Sequence, residues 1–244
     1  MNDIDIVSDY YKDSSDRERL IREAMHRIEH GEPCAYVLGE WFFYRNIFRL
    51  NEACLIPRPD TERIVEKAVS LIPQNGVFAD LCTGSGCIAV SVLSERPDLR
   101  AFAFDISERA LEAARENAEL LGVSDRIEFF CADLLLSDPL GEGMFDCIIS
   151  NPPYIKTADL SSLPLLAYEP SIALDGGSDG LTFYRRFIRK YEKNLSLSSP
   201  FIFEIGYDQR LDIERLAEEN GFSCSVERDW GGNDRVAVLR RKNS

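Results

Sequence analysis

Val77-Phe78-Ala79-Asp80-Leu81-Cys82-Thr83-Gly84-Ser85-Gly86 is the stretch that decides the fold. The short apolar run Val77 to Leu81 has the length and composition of a buried strand. Cys82 to Gly86 is a tight, glycine-bearing turn, and Cys87 to Glu95 places Ile88, Ala89, Val92 and Leu93 at helical spacing. A strand, a glycine turn and a helix in that order open a nucleotide-binding half of an α/β sheet.

The pattern continues outward on the C-terminal side. Arg100 to Phe104 reads as a second strand ending in Asp105, and Ser107 caps a helix through Leu111, Ala114, Ala118 and Leu121 to Gly122. Ile127 to Cys131 is a third strand, followed by Asp133. Asp105 lies 19 positions after Gly86, close to the roughly 20 at which an acid reaches ribose hydroxyls. The turn lacks a complete GxGxxG, and Asp80 just before it would repel a pyrophosphate while suiting a ligand amino group. Asp133 or its backbone neighbours are placed to read an adenine amino group. Structural capping accounts for any one of these acids. Together they fit a cationic, phosphate-free nucleoside with an amino-acid tail, S-adenosylmethionine.

A fourth strand, Phe145-Asp146-Cys147-Ile148-Ile149-Ser150, runs into Asn151-Pro152-Pro153-Tyr154. Consecutive prolines cannot donate to a sheet ladder, so the strand ends at Ser150 or Asn151. That leaves Asn151 and Tyr154 at the carboxyl end of the sheet, where ligands bind in such folds. A planar amino nitrogen is a poor nucleophile because its lone pair is delocalised. The Asn151 side-chain oxygen and the Pro152 carbonyl can each accept one of its N–H groups, favouring a pyramidal transition state. Tyr154 offers a flat face over the planar group. An ordinary turn capped by an aromatic is the plain alternative.

Upstream, Ser14 to His30 reads as a helix closed by Gly31, with Leu20, Ile21, Ala24, Met25 and Ile28 as its stripe. His26 and His30 are the only histidines, four apart, and no HExxH or carboxylate pattern accompanies them. A solvated face is favoured over a metal site, and no Ser-His or Cys-His nucleophile is available. Glu40 to Tyr44 and Ile47 to Leu50 flank a two-residue hairpin loop at Arg45-Asn46. Asp60 or Thr61 caps a helix running to about Ile72. Downstream, Lys156 to Tyr168 reads as a polar flap with a short helical piece, and Glu169 to Gly180 as turns whose acids shape a cleft. Phe183 to Asn194 and Gln209 to Asn220 are helices, Phe201 to Ile205 is a strand, and Cys224 to Glu227 with Val236 to Leu239 is a hairpin.

At 244 residues, 45% hydrophobic and 29% charged, the chain suits one large α/β domain with a small appendage. We expect residues 1–54 to form a short N-terminal helix and hairpin region and residues 55–244 the main domain. No apolar run approaches a bilayer span and the start lacks a basic leader, so a cytoplasmic protein without membrane contact is expected. The net charge of −14 argues against direct nucleic-acid binding. Seven cysteines without a CxxC are expected to be reduced and packed, Cys82, Cys87, Cys131 and Cys147 among them.

From Gly31 to Val238 the chain resembles the peptide chain release factor glutamine methyltransferases. The resemblance rests on Gly31-Glu32-Pro33, Leu55-Ile56-Pro57-Arg58-Pro59-Asp60-Thr61-Glu62, Asp80 to Gly86 and Ser150 to Ile155. It extends through Glu169-Pro170, Ala173 to Gly177, Asp179-Gly180-Leu181, Glu204-Ile205-Gly206 and Asp234-Arg235-Val236. Asn-Pro-Pro-Tyr alone is shared with nucleic-acid amino-methyltransferases; Ile-Pro-Arg-Pro-Asp-Thr-Glu is more specific and differs from the Arg-Ser-Pro type of the ribosomal-protein glutamine enzyme.

The resemblance implies a Rossmann-like, seven-stranded class I methyltransferase sheet. It also implies methyl transfer from S-adenosylmethionine, without a metal, to the glutamine amide of the release factors' Gly-Gly-Gln motif. Asp80, Cys82, Thr83, Gly84, Ser85, Gly86, Asp105, Asp133, Leu134 and Asn151 would line the cofactor. Asn151, Pro152, Pro153 and Tyr154 would hold the glutamine, with Asn151, Pro152 and Tyr154 catalytic. Arg58, Pro59, Thr61 and Glu62 would lie near the reacting centre. Two features depart from the family. Cys82 stands where the turn usually has its first glycine, which fits if its φ is negative. About thirty residues precede Gly31, fewer than in the family's helical docking domain. Amino-methylation of RNA, DNA or a ribosomal-protein glutamine, and a non-catalytic cofactor-binding module, are the alternative readings.

Overall fold

The structure is a computed structural model describing residues 2–162 and 168–242. Its frame is a seven-stranded sheet built from β3 (Val77–Leu81), β4 (Arg100–Asp105), β5 (Ile127–Cys131), β6 (Cys147–Ser150), β7 (Phe201–Glu204), β8 (Phe222–Arg228) and β9 (Asp234–Arg241). The spatial order is β5-β4-β3-β6-β7-β9-β8, parallel except for β9, which runs antiparallel to both β7 and β8. The chain starts at β3, builds outward to β5, then returns to β6 on the other side. This reversal between β3 and β6 is the topological switch point of a doubly wound sheet, outside whose strand ends ligands bind.

Side-chain alternation splits the core into two layers. Phe78, Ala101, Ala103, Cys147, Ile149 and Ile202 point to one face, where α4 (Glu62–Leu71) and α5 (Cys87–Glu95) pack. Ala79, Leu81, Phe104, Ile148, Phe201 and Phe203 point to the other, against α7 (Thr182–Tyr191) and α8 (Arg210–Glu219). Burial on both faces is why these strands read as continuous apolar runs. α6 (Glu108–Leu120) follows β4, and the Ser107 side chain accepts from the Ala110 amide as its N-cap.

The N-terminal region contains α1 (Asp3–Tyr10), α2 (Arg17–Glu29) and α3 (Cys34–Leu38), gathered around Val7, Ala24, Cys34, Val37 and Leu38. Sequence reading found only α2. α1 is marked by a capping box, the Asn2 side chain and Asp5 exchanging bonds with each other's amides, but it buries only Val7 and so leaves little hydrophobic signal. The hairpin comprises β1 (Glu40–Phe43) and β2 (Asn46–Arg49), with Phe43 opposite Asn46. Its loop is therefore Tyr44-Arg45, one residue earlier than expected, and Tyr44 takes φ 57° while its amide donates to Glu62. Phe43 and Phe48 join the sheet core, and Asn117 of α6 exchanges hydrogen bonds with the Arg49 backbone.

Other expectations shift in detail. A 3-10 turn at Pro59–Thr61 leads into α4 without a side-chain cap, because the Thr61 hydroxyl is committed elsewhere. Cys131 is exposed rather than packed, as it ends the edge strand β5. In the expected flap, a 3-10 turn spans Leu160–Ser162, and residues 163–167 lie outside the described residues.

Gly86 joins the turn to α5 with φ 77°, and a Cβ there would lie 3.1 Å from the Ala114 Cβ and 3.3 Å from its Cα. Gly86→Ala therefore adds a left-handed backbone penalty to overpacking against α6. It is expected to lower unfolding free energy by about 2–4 kcal/mol in urea titrations. A loss below about 0.5 kcal/mol would contradict this packing.

Candidate active site

β3 and β6 end side by side, with Leu81 paired to Ser150. The Ser150 hydroxyl donates to the Leu81 carbonyl at 2.5 Å, tying the two strand ends together. Chain beyond Leu81 turns into Cys82–Gly86, and chain beyond Ser150 becomes Asn151–Tyr154. Two hollows lie above this junction.

The larger, of about 290 Å³, is walled by Cys82, Thr83, Gly84, Ser85, Asp105, Ile106, Asp133 and Leu134, with Arg58, Thr61, Asn151, Pro153 and Phe183 closing it. The smaller, of about 130 Å³, is walled by Asn151, Pro152, Tyr154, Ile155, Leu174 and Glu204. Leu55, Arg58, Asn151 and Ala173 belong to both walls, so Asn151 stands at their boundary.

The loop that forms the first wall is held from two sides. Asp105 Oδ2 accepts from the Gly84 amide at 2.8 Å and Oδ1 from the Ser107 amide at 2.9 Å. Each oxygen retains acceptor capacity toward the hollow, and burial raises the carboxyl's pKa. Asp133 Oδ1 accepts from the Leu135 and Leu136 amides, turning the chain so that Leu134 faces the hollow. Cys82 adopts φ 61°, so the condition for an unstrained fit, a negative φ, is not met. The position keeps the conformation a glycine favours, with a thiol carried in a strained region.

Asp80 and Gly86 stand behind this wall rather than in it. Asp80 is fully buried, and its Oδ2 accepts from the Thr83 hydroxyl at 2.6 Å. It therefore supports the loop through Thr83, where sequence reading had it meeting a ligand directly. Its Oδ1 has no partner among the described residues. Pro59 and Glu62 also stand back: Pro59 opens the 3-10 turn and the Glu62 carboxylate accepts from the Tyr44 amide. Arg58 and Thr61, from the same segment, reach the larger hollow.

Arg58 is matched by Glu169, which is buried and also accepts from the Ile56 amide at 3.0 Å. The sequence expects the acids of Glu169 to Gly180 to shape a cleft; Glu169 does so by strapping Ile56 to Arg58 at its edge. The Gly176 segment presses on the back of the Asn-Pro-Pro-Tyr turn, where a Cβ would come within 2.7 Å of the Tyr154 Cα and 2.9 Å of the Pro153 carbonyl oxygen. That close approach explains why the chain carries glycine there.

Tyr154 lines the smaller hollow and not the larger one. Its ring is partly buried beside the smaller one, and its hydroxyl donates to Glu204 Oε1 at 3.2 Å. Burial pushes its pKa up, so it remains a neutral donor. Glu204, at the end of β7, also accepts from the Thr61 hydroxyl at 2.6 Å. Sequence reading assigned it no role. An acid ending the buried run Phe201-Ile202-Phe203 was the signal available.

The larger hollow tests well against a cationic nucleoside. Among the described residues its wall holds the acids Asp105 and Asp133 and a single cation, Arg58, already paired with Glu169. Ser85 Oγ is buried in that wall without a partner among the described residues.

Burial pushes the Asp80 carboxyl up to about 7. An unfolded chain releases that proton near pH 4, so between about 4 and 7 the native state binds more protons and loses stability as pH rises. Ligand-free wild type should lose on the order of 2–4 kcal/mol relative to Asp80→Asn across that range, measured by urea unfolding at each pH. A difference independent of pH would contradict the burial of an ionisable group here.

Residues 62–163 match the family model for the methyltransferase small domain. The chain is 38% identical over 238 residues to the release factor glutamine methyltransferase of Thermodesulfovibrio yellowstonii, covering 95% of this chain and 84% of that protein. It is 42% identical over 224 residues to that of Neisseria gonorrhoeae, covering 91% and 81%. The solved ribosomal protein L11 methylase of Lactobacillus delbrueckii subsp. bulgaricus shares the fold, with a TM-score of 0.56 and 24% identity over 80% of this chain and 86% of that one. With its Rossmann-like sheet and relatives alike over most of their length, the chain belongs to the release factor glutamine methyltransferase family.

Proposed function

We propose that this protein methylates the side-chain amide nitrogen of the glutamine in the Gly-Gly-Gln motif of peptide chain release factors, using S-adenosylmethionine. The observation that carries this reading is the place of Asn151 and Pro152: an amide acceptor at the boundary between a larger and a smaller hollow, and next to it a carbonyl-bearing residue in the wall of the smaller one.

S-adenosylmethionine, when bound, supplies an activated sulfonium methyl. Asp105 would accept the ribose hydroxyls with the capacity left by its two backbone bonds. Asp133 and the Leu134 backbone would meet the adenine edge, with Ile106 and Leu134 as its apolar walls. Thr83 and Ser85 would turn their polar atoms toward the amino-acid tail. The smaller hollow would take the glutamine side chain, its amide N–H groups donating to Asn151 Oδ1 and the Pro152 carbonyl. The Pro152 carbonyl accepts no hydrogen bond among the described residues, so it is free for this. These acceptors hold the nitrogen in place and favour the charge it gains in the transition state. The Pro-Pro turn makes both acceptors rigid before the substrate arrives.

Asn151→Ala should lower turnover on the order of 100- to 1000-fold with a release factor as acceptor and labelled S-adenosylmethionine as donor. Its cofactor Kd, measured by calorimetry, should stay within a few-fold of wild type. Unchanged turnover, or label passing only to RNA, DNA or a ribosomal protein, would overturn the reading.

A further inference from the structure

A carboxamide is nearly symmetrical in shape, yet only one of its two ends can accept a proton donor. If Asn151 presented its NH₂ group to a glutamine NH₂, donor would face donor. Something must hold the ring of choices to one. Beside Asn151 the structure has a hydroxyl and a carboxylate in series.

Asn151 Nδ2 lies 3.4 Å from Thr61 Oγ1, and Thr61 Oγ1 lies 2.6 Å from Glu204 Oε2. Thr61 has one hydroxyl proton, and a carboxylate oxygen has none to give. The short contact therefore takes the Thr61 proton to Glu204. Thr61 is left with lone pairs only toward Asn151, so Asn151 must donate with Nδ2. Its Oδ1 then points away from Thr61, toward the boundary of the two hollows.

Glu204 is suited to command this chain. It extends from β7 on the same face as Ile202, which brings it under the start of α4 where Thr61 lies. Only 2% of it is exposed, and its second oxygen accepts from Tyr154. The groups facing it are Thr61, Tyr154, Arg235 and Asp60; burial raises its pKa, with Asp60 adding to the rise, while the hydrogen bonds from Thr61 and Tyr154 and the charge of Arg235 oppose it and favour the carboxylate. Arg235 is itself held by Asp229 at 3.2 Å and Asp60 at 3.4 Å. The catalytic reading does not require a buried acid at this place, and core packing alone would be met by an apolar residue.

We propose that Glu204 is a positioning residue which, acting through Thr61, fixes the orientation of the Asn151 carboxamide so that Oδ1 accepts from the substrate amide. This rests on the role given to Asn151 above. Glu204 touches no reacting atom; it sets the polarity of the group that does.

Three single variants and one double variant test it, each assayed by methyl transfer to a release factor alongside Asn151→Ala. Glu204→Gln keeps the shape but can donate to Thr61, freeing the Thr61 proton for Asn151. Thr61→Val removes the hydroxyl, and Thr61→Ser restores it. Glu204→Gln and Thr61→Val should each lower kcat about 10- to 100-fold, with cofactor Kd unchanged within a few-fold. The double variant should lose little more than either alone, because both break one chain. Thr61→Ser should stay within about threefold of wild type.

Thr61→Val carries the test if Glu204→Gln does not fold. If Asn151→Ala is inactive while Glu204→Gln and Thr61→Val keep wild-type kcat, the relay is wrong and the function stands. If Asn151→Ala itself keeps turnover, the functional reading fails first. Fully additive losses, or equal losses in cofactor affinity, would reduce the pair to structural support and overturn the proposal.

Discussion

The pairing of β3 with β6 is the constraint on which the rest of the molecule depends. These strands are far apart in sequence and adjacent in space only because the chain reverses its direction of growth across the sheet. Their register, fixed by Leu81 against Ser150 and by the Ser150 hydroxyl on the Leu81 carbonyl, places two chain exits together. One exit is the glycine-bearing loop and the other the Pro-Pro turn. A one-residue slip would turn every side chain of β6 to the opposite face and carry Asn151 away from the loop.

Around that junction the protein uses buried and half-buried acids as internal braces. Asp105 fastens the loop from the β4 side, Asp80 from beneath, Glu169 straps Arg58, and Glu204 collects Thr61 and Tyr154. Each receives hydrogen bonds from hydroxyls, amides or a guanidinium. This is the condition under which a buried carboxylate is tolerated. The net charge of −14 is thus partly an account of the site, since several of its acids are inward-facing. The turn-rich glycine segment around Gly176 completes the brace by allowing backbone to lie directly on the Asn-Pro-Pro-Tyr turn.

Much of the fold was legible because the sheet is buried on both sides. The apolar runs at Val77, Arg100, Ile127, Cys147 and Phe201 all became strands near the expected bounds, and the C-terminal hairpin closed the seven. What was not legible had weak local signals. α1 buries one residue; the hairpin loop moved by one because Tyr44, not a turn-forming type, took the left-handed conformation. Cys82 likewise holds a positive φ that its side chain does not announce. In the site, Asn151, Asp105 and Asp133 could be named because strand ends are visible in a sequence. That Asp80 would face Thr83, or that Glu204 would find Thr61 across 143 positions, depends on packing that no local pattern records.

The central claim is that a proline-stiffened strand end offers two acceptors to an unreactive amide nitrogen beside a nucleoside site. A crystal structure with S-adenosylhomocysteine and a Gly-Gly-Gln peptide tests it most directly. The account predicts the glutamine amide nitrogen within about 3 Å of both Asn151 Oδ1 and the Pro152 carbonyl oxygen, with the nucleoside against Asp105. A glutamine seated elsewhere, or Asn151 turned to offer its NH₂ group, would contradict it.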